Sequence, residues 1–244
     1  MKTSGNTVFI TGGSAGIGLA IAKKLQAAGN KIIINGRNEE RLQRALAELK
    51  DAEGIQGDLS VEADRRRIAE ELKTYYPDVN IIVNNAGAAF GYLLSETTDA
   101  HEKALVEMNT NYIAVIHFTE LLLPHLLKKS DSAVINISSI AVYGSHKFLP
   151  TYGATKAALH SYTVALRMTY EEQKNLQIYE VYPPMVNTEF SAEIGGANGI
   201  PASELADELL VALEQNQFDV PVGETKIYAA AAEQAFANIA RSRQ

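Results

Sequence analysis

The sequence predicts a doubly wound α/β fold in a single domain, a parallel sheet of seven strands with helices on both faces. Two observations carry this. Short β-branched runs alternate with longer helical patterns along the whole chain, and several of the runs are apolar at consecutive positions, as strands covered on both faces must be. No linker, internal repeat or low-complexity tract divides the chain, so residues 1–244 read as one domain.

Taken in order, the strands fall at TVFIT (7–11), KIIIN (31–35), the poorer GIQGD (54–58), NIIVN (80–84), SAVINI (132–137), QIYEVY (177–182) and FDVPV (218–222). Helices are expected near 17–28, stopped by Gly29, and near 39–53, 61–76, 98–129 and 151–173. After Thr188 the pattern loosens. The Gly-rich stretch SAEIGGANGIPAS (191–203) reads as a mobile surface segment beside the site, within a substrate-loop region of about 185–203. A helix near 202–215 and an Ala-rich helix near 225–241 complete the pattern.

Composition narrows the function. The formal charge is −7, and the basic residues are scattered apart from Arg65-Arg66-Arg67. Next to Glu70 and Glu71 that run reads as a solvated helix face, so nucleic acid is not an expected partner. The absence of cysteine excludes disulfides, thiolate metal sites and thiol nucleophiles. His146 reads as a surface loop residue and the other four histidines lie in helical patterns, so no metal site is expected. MKTSGN leads directly into a strand without an apolar signal segment, and no apolar run approaches the ~20 residues of a membrane helix. The expectation is a cytoplasmic protein with no membrane partner.

Four constellations fall at strand ends. The first strand runs into Thr11-Gly12-Gly13-Ser14-Ala15-Gly16-Ile17-Gly18 and then directly into a helix. Glycines there allow close approach to a pyrophosphate at a helix N-terminus, although the spacing is GxxxGxG rather than the commoner GxGxxG, and a purely structural turn fits the same residues. At the end of the second strand, where an acid would receive the ribose hydroxyls of NAD, stand Gly36 and Arg37. A guanidinium can clamp a 2′-phosphate, which favours NADP(H) over NAD(H); an arginine that merely opens the next helix with Glu39 and Glu40 is the competing reading. Asn84-Asn85-Ala86-Gly87 closes the fourth strand with amides that can fix loops and small residues that admit a flat ring.

The fourth constellation combines two segments. Tyr152 and Lys156 sit at i and i+4 on a helix, so phenol and ammonium share a face, and a fixed cation favours the ionised phenol. Alone this pair also describes an ordinary surface contact. Ser138-Ser139, directly after the fifth strand, brings a hydroxyl to the same sheet edge, within a catalytic segment spanning 138–156.

Together, Thr11-Gly12, Gly16, Gly18, Asp58, Asn84 to Gly87, Asn111, Ser139, Tyr152 and Lys156 closely resemble the classical short-chain dehydrogenase/reductase family over roughly residues 7–188, and the segment MNTNYIAVIHFTELLLP with the tail is similar to its DltE-like subgroup. The resemblance implies a Rossmann-type domain in which Tyr152 is the acid/base, Lys156 lowers its pKa and holds the nicotinamide ribose, and Ser139 polarises the carbonyl. It implies that Asn111 anchors a water in a proton relay. Cofactor contacts fall to Gly12, Ser14, Gly16, Ile17, Gly18, Arg37, Asp58, Leu59, Asn85, Ala86, Gly87, Pro183, Val186 and Thr188. The partners implied are a small carbonyl or alcohol substrate and further copies of the chain, as a homodimer or homotetramer. Two departures stand out: Pro183-Pro184 replaces the family's Pro-Gly, and the usual C-terminal ending is replaced by FDVPVGETKIYAAAAEQAFANIARSRQ.

Phe90, Tyr92, Tyr143, His146, Phe148, Met185 and Phe190 lie in loops expected near the site, and about half of them should line an apolar pocket. The expectation is NADP(H)-dependent hydride transfer to or from a carbonyl/alcohol pair. The alternatives are an NAD-preferring alcohol dehydrogenase of the same fold and a cofactor-sensing module without turnover.

Overall fold

Runs of Val, Ile and Phe with both faces apolar are most stable in the middle of a covered parallel sheet, and the computed structural model, which describes residues 1–242, places them there. Arg243 and Gln244, part of the expected domain, lie outside the described residues. The elements are β1 (Thr7–Ile10), α1 (Gly16–Ala27), β2 (Lys31–Gly36), α2 (Glu39–Glu48), β3 (Glu53–Gln56), α3 (Glu62–Tyr75), β4 (Val79–Asn84), α4 (Ala100–Met108), α5 (Ala114–Leu126), β5 (Ser132–Ile137), α6 (Tyr152–Thr169), β6 (Leu176–Tyr182), β7 (Val186–Asn187), β8 (Ile200–Pro201), α7 (Ala202–Gln215), β9 (Asp219–Pro221) and α8 (Thr225–Ser242). Seven strands form one parallel sheet in the order β3-β2-β1-β4-β5-β6-β9. The order reverses between β1 and β4, and ligands of such sheets bind in the crevice at that point, beyond the carboxyl ends of the strands.

Each face of the sheet has its own core. Ile21, Ala22 and Leu25 of α1 recur at helical spacing and pack with Leu42 of α2 and Leu205 and Leu209 of α7 on one face. Ile68 and Leu72 of α3, Phe118 and Leu122 of α5 and Leu166 of α6 cover the other. Gly29, at φ +92°, takes the left-handed turn that ends α1 and leads into β2, as expected.

Several boundaries differ from expectation. α2 stops at Glu48 rather than near 53, because the chain must turn through the left-handed Asp51 to bring Glu53 into β3. The helix expected over 98–129 is two helices joined by a π-helical turn at Asn109–Ile113. Arg65 is not on a solvated face: it is buried, its Nε donating to His117 Nδ1 at 3.0 Å and its Nη1 to the Leu59 carbonyl at 2.6 Å, while Arg66 and Arg67 make the exposed ion pairs with Glu62 and Glu71. The Gly-rich stretch after Thr188 folds into two 3₁₀ turns, Glu189–Ile194 and Gly196–Asn198, pinned at their base by the β7–β8 pair. Among the described residues no helix is long and apolar enough to cross a membrane.

Candidate active site

The carboxyl edge of the sheet opens into a cleft of about 760 Å³ that runs from the end of β2 across β1 and β4 to the N-terminus of α6. Its floor is the glycine turn strapped to the end of β4. Thr11 Oγ1 accepts hydrogen bonds from the backbone N–H of both Asn85 and Ala86, each at 2.9 Å. Asn85 returns its side-chain amide to the carbonyls of Thr11 and Gly12 at 2.9 and 3.2 Å. Gly12, at φ +62°, has a conformation that side chains resist, and a Cβ there would stand 3.0 Å from Ala86 Cα. A Cβ on Gly18 would lie 2.5 Å from both the Gly12 carbonyl oxygen and the Asn85 amide.

Most of the expected residues face this cleft. Gly12, Ser14, Gly16 and Ile17 border its middle, Arg37, Asp58 and Leu59 one end, and Asn85, Ala86 and Gly87 its wall. Ser139, Tyr152, Lys156, Pro183, Val186 and Thr188 close the other end. Gly18 and Asn111 do not line it: the first packs behind the turn, and the second lies fully buried in the π-helical turn. Of the loop residues expected near the site, Tyr143, His146, Met185 and Phe190 border the cleft; Phe90, Tyr92 and Phe148 do not.

At the inner end the three expected side chains meet. Lys156 Nζ lies 5.6 Å from the centroid of the Tyr152 ring and donates to the Ile137 carbonyl at 2.8 Å. Ser139 caps the short turn after β5, its Oγ accepting from Ala141 N–H. Burial pushes the Tyr152 phenol well above its usual range; the polar Ser139 side chain nearby pulls the other way, and the Glu107 carboxylate adds to the rise. Burial also brings Lys156 down to about 8, against the opposing charge of Glu180. The expectation that the lysine depresses the phenol therefore meets a stronger effect, removal of the phenol from water.

The side chain of Asn111 is engaged by the protein. Its Oδ1 accepts from Ala88 N–H at 2.8 Å, and its Nδ2 donates to the Ala88 carbonyl at 2.8 Å and to Thr155 Oγ1 at 2.9 Å. Both amide protons are thus taken up by protein.

Several cleft or near-cleft residues escaped the sequence reading, Arg41, Glu224, Tyr228 and Glu107 among them. Arg41, in the first turn of α2, borders the same end as Arg37 and pairs with Glu189 at 2.8 Å. Its signal was the NGRNEER spacing, one helical turn beyond Arg37. Glu224 and Tyr228, the latter on α8, face the substrate end, and Glu107 is buried behind Tyr152. Nothing local in the sequence marked these three.

The cleft suits a dinucleotide on two structural grounds. Gly12 and Gly16, both at positive φ, present backbone without a side chain to the cleft, and the buried Ser138 hydroxyl at the cleft wall has no partner in the protein.

Comparison with known proteins agrees with this geometry. Residues 6–198 match the family model of the short chain dehydrogenases. The chain is 35% identical, over 85% of its length and 82% of the relative's, to DltE, an uncharacterized oxidoreductase of Bacillus subtilis (strain 168). It is similar to a short chain dehydrogenase from Burkholderia cenocepacia J2315 solved in complex with NADP, with TM-score 0.84 and 25% identity over 97% of each chain. A family member from Burkholderia phymatum solved with NAD has TM-score 0.85 and 20% identity, over 100% of this chain and 97% of that one, and shows the shared fold.

Proposed function

The chain belongs to the short-chain dehydrogenase family, and on that premise we propose that it moves a hydride between NADP(H) and a carbonyl/alcohol pair, with Tyr152 as general acid or base. The observation that carries the reading is the convergence of Ser139, Tyr152 and Lys156 at the inner end of the glycine-floored cleft.

The bound nicotinamide would supply or take up the hydride at its C4 carbon. Gly12, Ser14, Gly16 and Ile17 would hold the pyrophosphate at the N-terminus of α1. Arg37 and Arg41 would receive a 2′-phosphate, beside Ser14, whose Oγ fits there because a Cβ on Gly36 would stand only 2.7 Å from it. Asp58 and Leu59 would border the adenine, Asn85, Ala86 and Gly87 the wall, and Pro183, Val186 and Thr188 the carboxamide side. Lys156 would hold the nicotinamide ribose.

Ser139 would donate a hydrogen bond to the substrate oxygen while Tyr152 delivers its proton to that oxygen. A phenol raised by burial keeps its proton at neutral pH and is available as the donor in carbonyl reduction. With both side-chain protons of Asn111 engaged, a relay water would be held by an oxygen of that residue rather than by its amide N–H. Tyr143, Phe190 and Tyr228 would give the substrate an apolar, aromatic pocket. Leu105, Val106 and Ile113, with Val164 and Met168 of α6, are exposed apolar surface that supports a homodimer or homotetramer.

Tyr152→Phe tests the reading. Its kcat/KM with NADPH and an accepted aldehyde or ketone should fall by about 10²–10⁴-fold, and full turnover by this variant would overturn the assignment. One observation favours NAD as the second reading: Arg37 is 81% exposed and lies 4.0 Å from the Asp58 carboxylate, an anion that competes with a phosphate for it.

A further inference from the structure

We propose that Glu107 is a positioning residue for Tyr152, a buried carboxylate that ties the loop carrying Phe90 and Tyr92 to Thr151, the residue before the phenol. The inference rests on the assignment of Tyr152 as the acid/base.

The geometry is a ladder of two rungs. On the first, Asn111 joins Ala88 to Thr155 of α6. One helical turn earlier, Glu107 repeats the arrangement: Oε1 accepts from Phe90 N–H at 2.9 Å and Oε2 from Thr151 Oγ1 at 2.6 Å. Thr151 and Thr155 are themselves one turn apart, and Tyr152 sits between them. Thr151 Oγ1 also meets the Tyr92 hydroxyl at 2.8 Å, and since the threonine proton goes to the carboxylate, Tyr92 is the donor in that contact. A second tie, from Tyr92 N–H to the Phe148 carbonyl, holds the same two loops together.

Glu107 is fully buried, and its protein contacts are neutral donors. An ionised carboxylate in such a place is costly to bury, and a helix does not need one. Lys103 on α4 is bound to the Thr98 carbonyl and lies over the Tyr92 ring, and Lys156 lies over the ring of Tyr152. The bridge places Tyr152, and the carboxylate charge adds to the larger effect of burial, which keeps the phenol a proton donor.

Two substitutions separate placement from charge. In Glu107→Gln the amide keeps the shape: its oxygen can accept from Phe90 and its nitrogen donate to Thr151, which then turns its own proton to Tyr92. Only the charge is lost. Thr151→Val keeps the charge and breaks the bridge. The full-length wild type, these two variants and Tyr152→Phe are labelled with ζ-¹³C-tyrosine and titrated between pH 6 and 10.5, alone and with NADP⁺. The resonance missing from Tyr152→Phe reports the phenol directly, without a substrate.

The expected result is a Tyr152 resonance that stays at the phenol position to pH 10.5 in the wild type, where burial holds its proton, and is displaced in Thr151→Val, where the bridge is gone, with a midpoint that moves down in Glu107→Gln. In turnover assays Glu107→Gln should gain about threefold in alcohol oxidation below the midpoint, since the phenolate becomes more abundant but less basic. Thr151→Val should lose kcat at every pH. A Tyr152 resonance in Thr151→Val that coincides with that of the wild type at every pH overturns the proposal. Absence of Tyr152-dependent turnover in the wild type would instead sink the hydride-transfer reading, and the two failures are seen in different measurements.

Discussion

Lys156 reaches under the phenol ring of Tyr152 and anchors its ammonium on the main-chain carbonyl of Ile137, the last residue of β5, at 2.8 Å. The side chain is buried to 5% exposure, so the position is held by that bond and the helix rather than by solvent.

Burial of the ammonium has a cost that can be measured. The proton binds with pKa about 8 in the folded chain against 10.5 for the free side chain, so the penalty is fully present below about 8 and fades as pH rises toward 10.5. Its size is about 3 kcal/mol, offset by about 1 kcal/mol for the hydrogen bond to Ile137. Lys156→Met should therefore be more stable than wild type by about 2 kcal/mol at pH 7 in urea melts, with the advantage vanishing toward pH 10.5, while turnover is lost. Equal stability at pH 7 would show that the ammonium is not penalised.

The basic pair at the end of β2 should decide between the two nicotinamide cofactors. Arg37→Ala should weaken NADPH about tenfold in a fluorescence titration and leave NADH within about twofold, because only the first carries the 2′-phosphate. Arg41→Ala should act the same way, with the added release of Glu189. If either variant weakens both cofactors equally, the arginine holds a part that they share.

A contrasting result is expected at the turn itself. In Gly18→Ala the new methyl would stand 2.5 Å from the Gly12 carbonyl oxygen and from the Asn85 amide, and the carbonyl is backbone that cannot swing aside. The overpacking should cost about 2–3 kcal/mol and lower the melting temperature by about 5–10 °C. NADPH and NADH should weaken together. A variant with wild-type melting would mean that the turn relaxes without strain.

The strands were legible because a doubly covered sheet writes itself as apolar runs, and the glycine turn because close backbone approach demands small residues at fixed positions. What stayed hidden depends on contacts between distant segments. On α4, Leu105 and Val106 are exposed while Glu107 is fully buried, the reverse of what hydrophobic periodicity suggests. That inversion follows from the loop at 86–92, whose backbone N–H groups need an acceptor, and from Thr151, more than forty residues downstream. Arg65 misled for a similar reason: three consecutive arginines look solvated, yet the first turns inward to satisfy the Leu59 carbonyl. Tyr228 reached the cleft only because α8 returns across the 3₁₀ turn after β5, where its ring stacks on Tyr143 at 6.4 Å.

One hydroxyl, that of Thr11, receives the backbone N–H of two successive residues at the end of the neighbouring strand. The glycine turn and the segment facing it are therefore a single mechanical unit, formed when the sheet forms. A ligand that arrives meets a finished surface, and the entropy of ordering those two loops is subtracted from folding stability rather than from binding affinity.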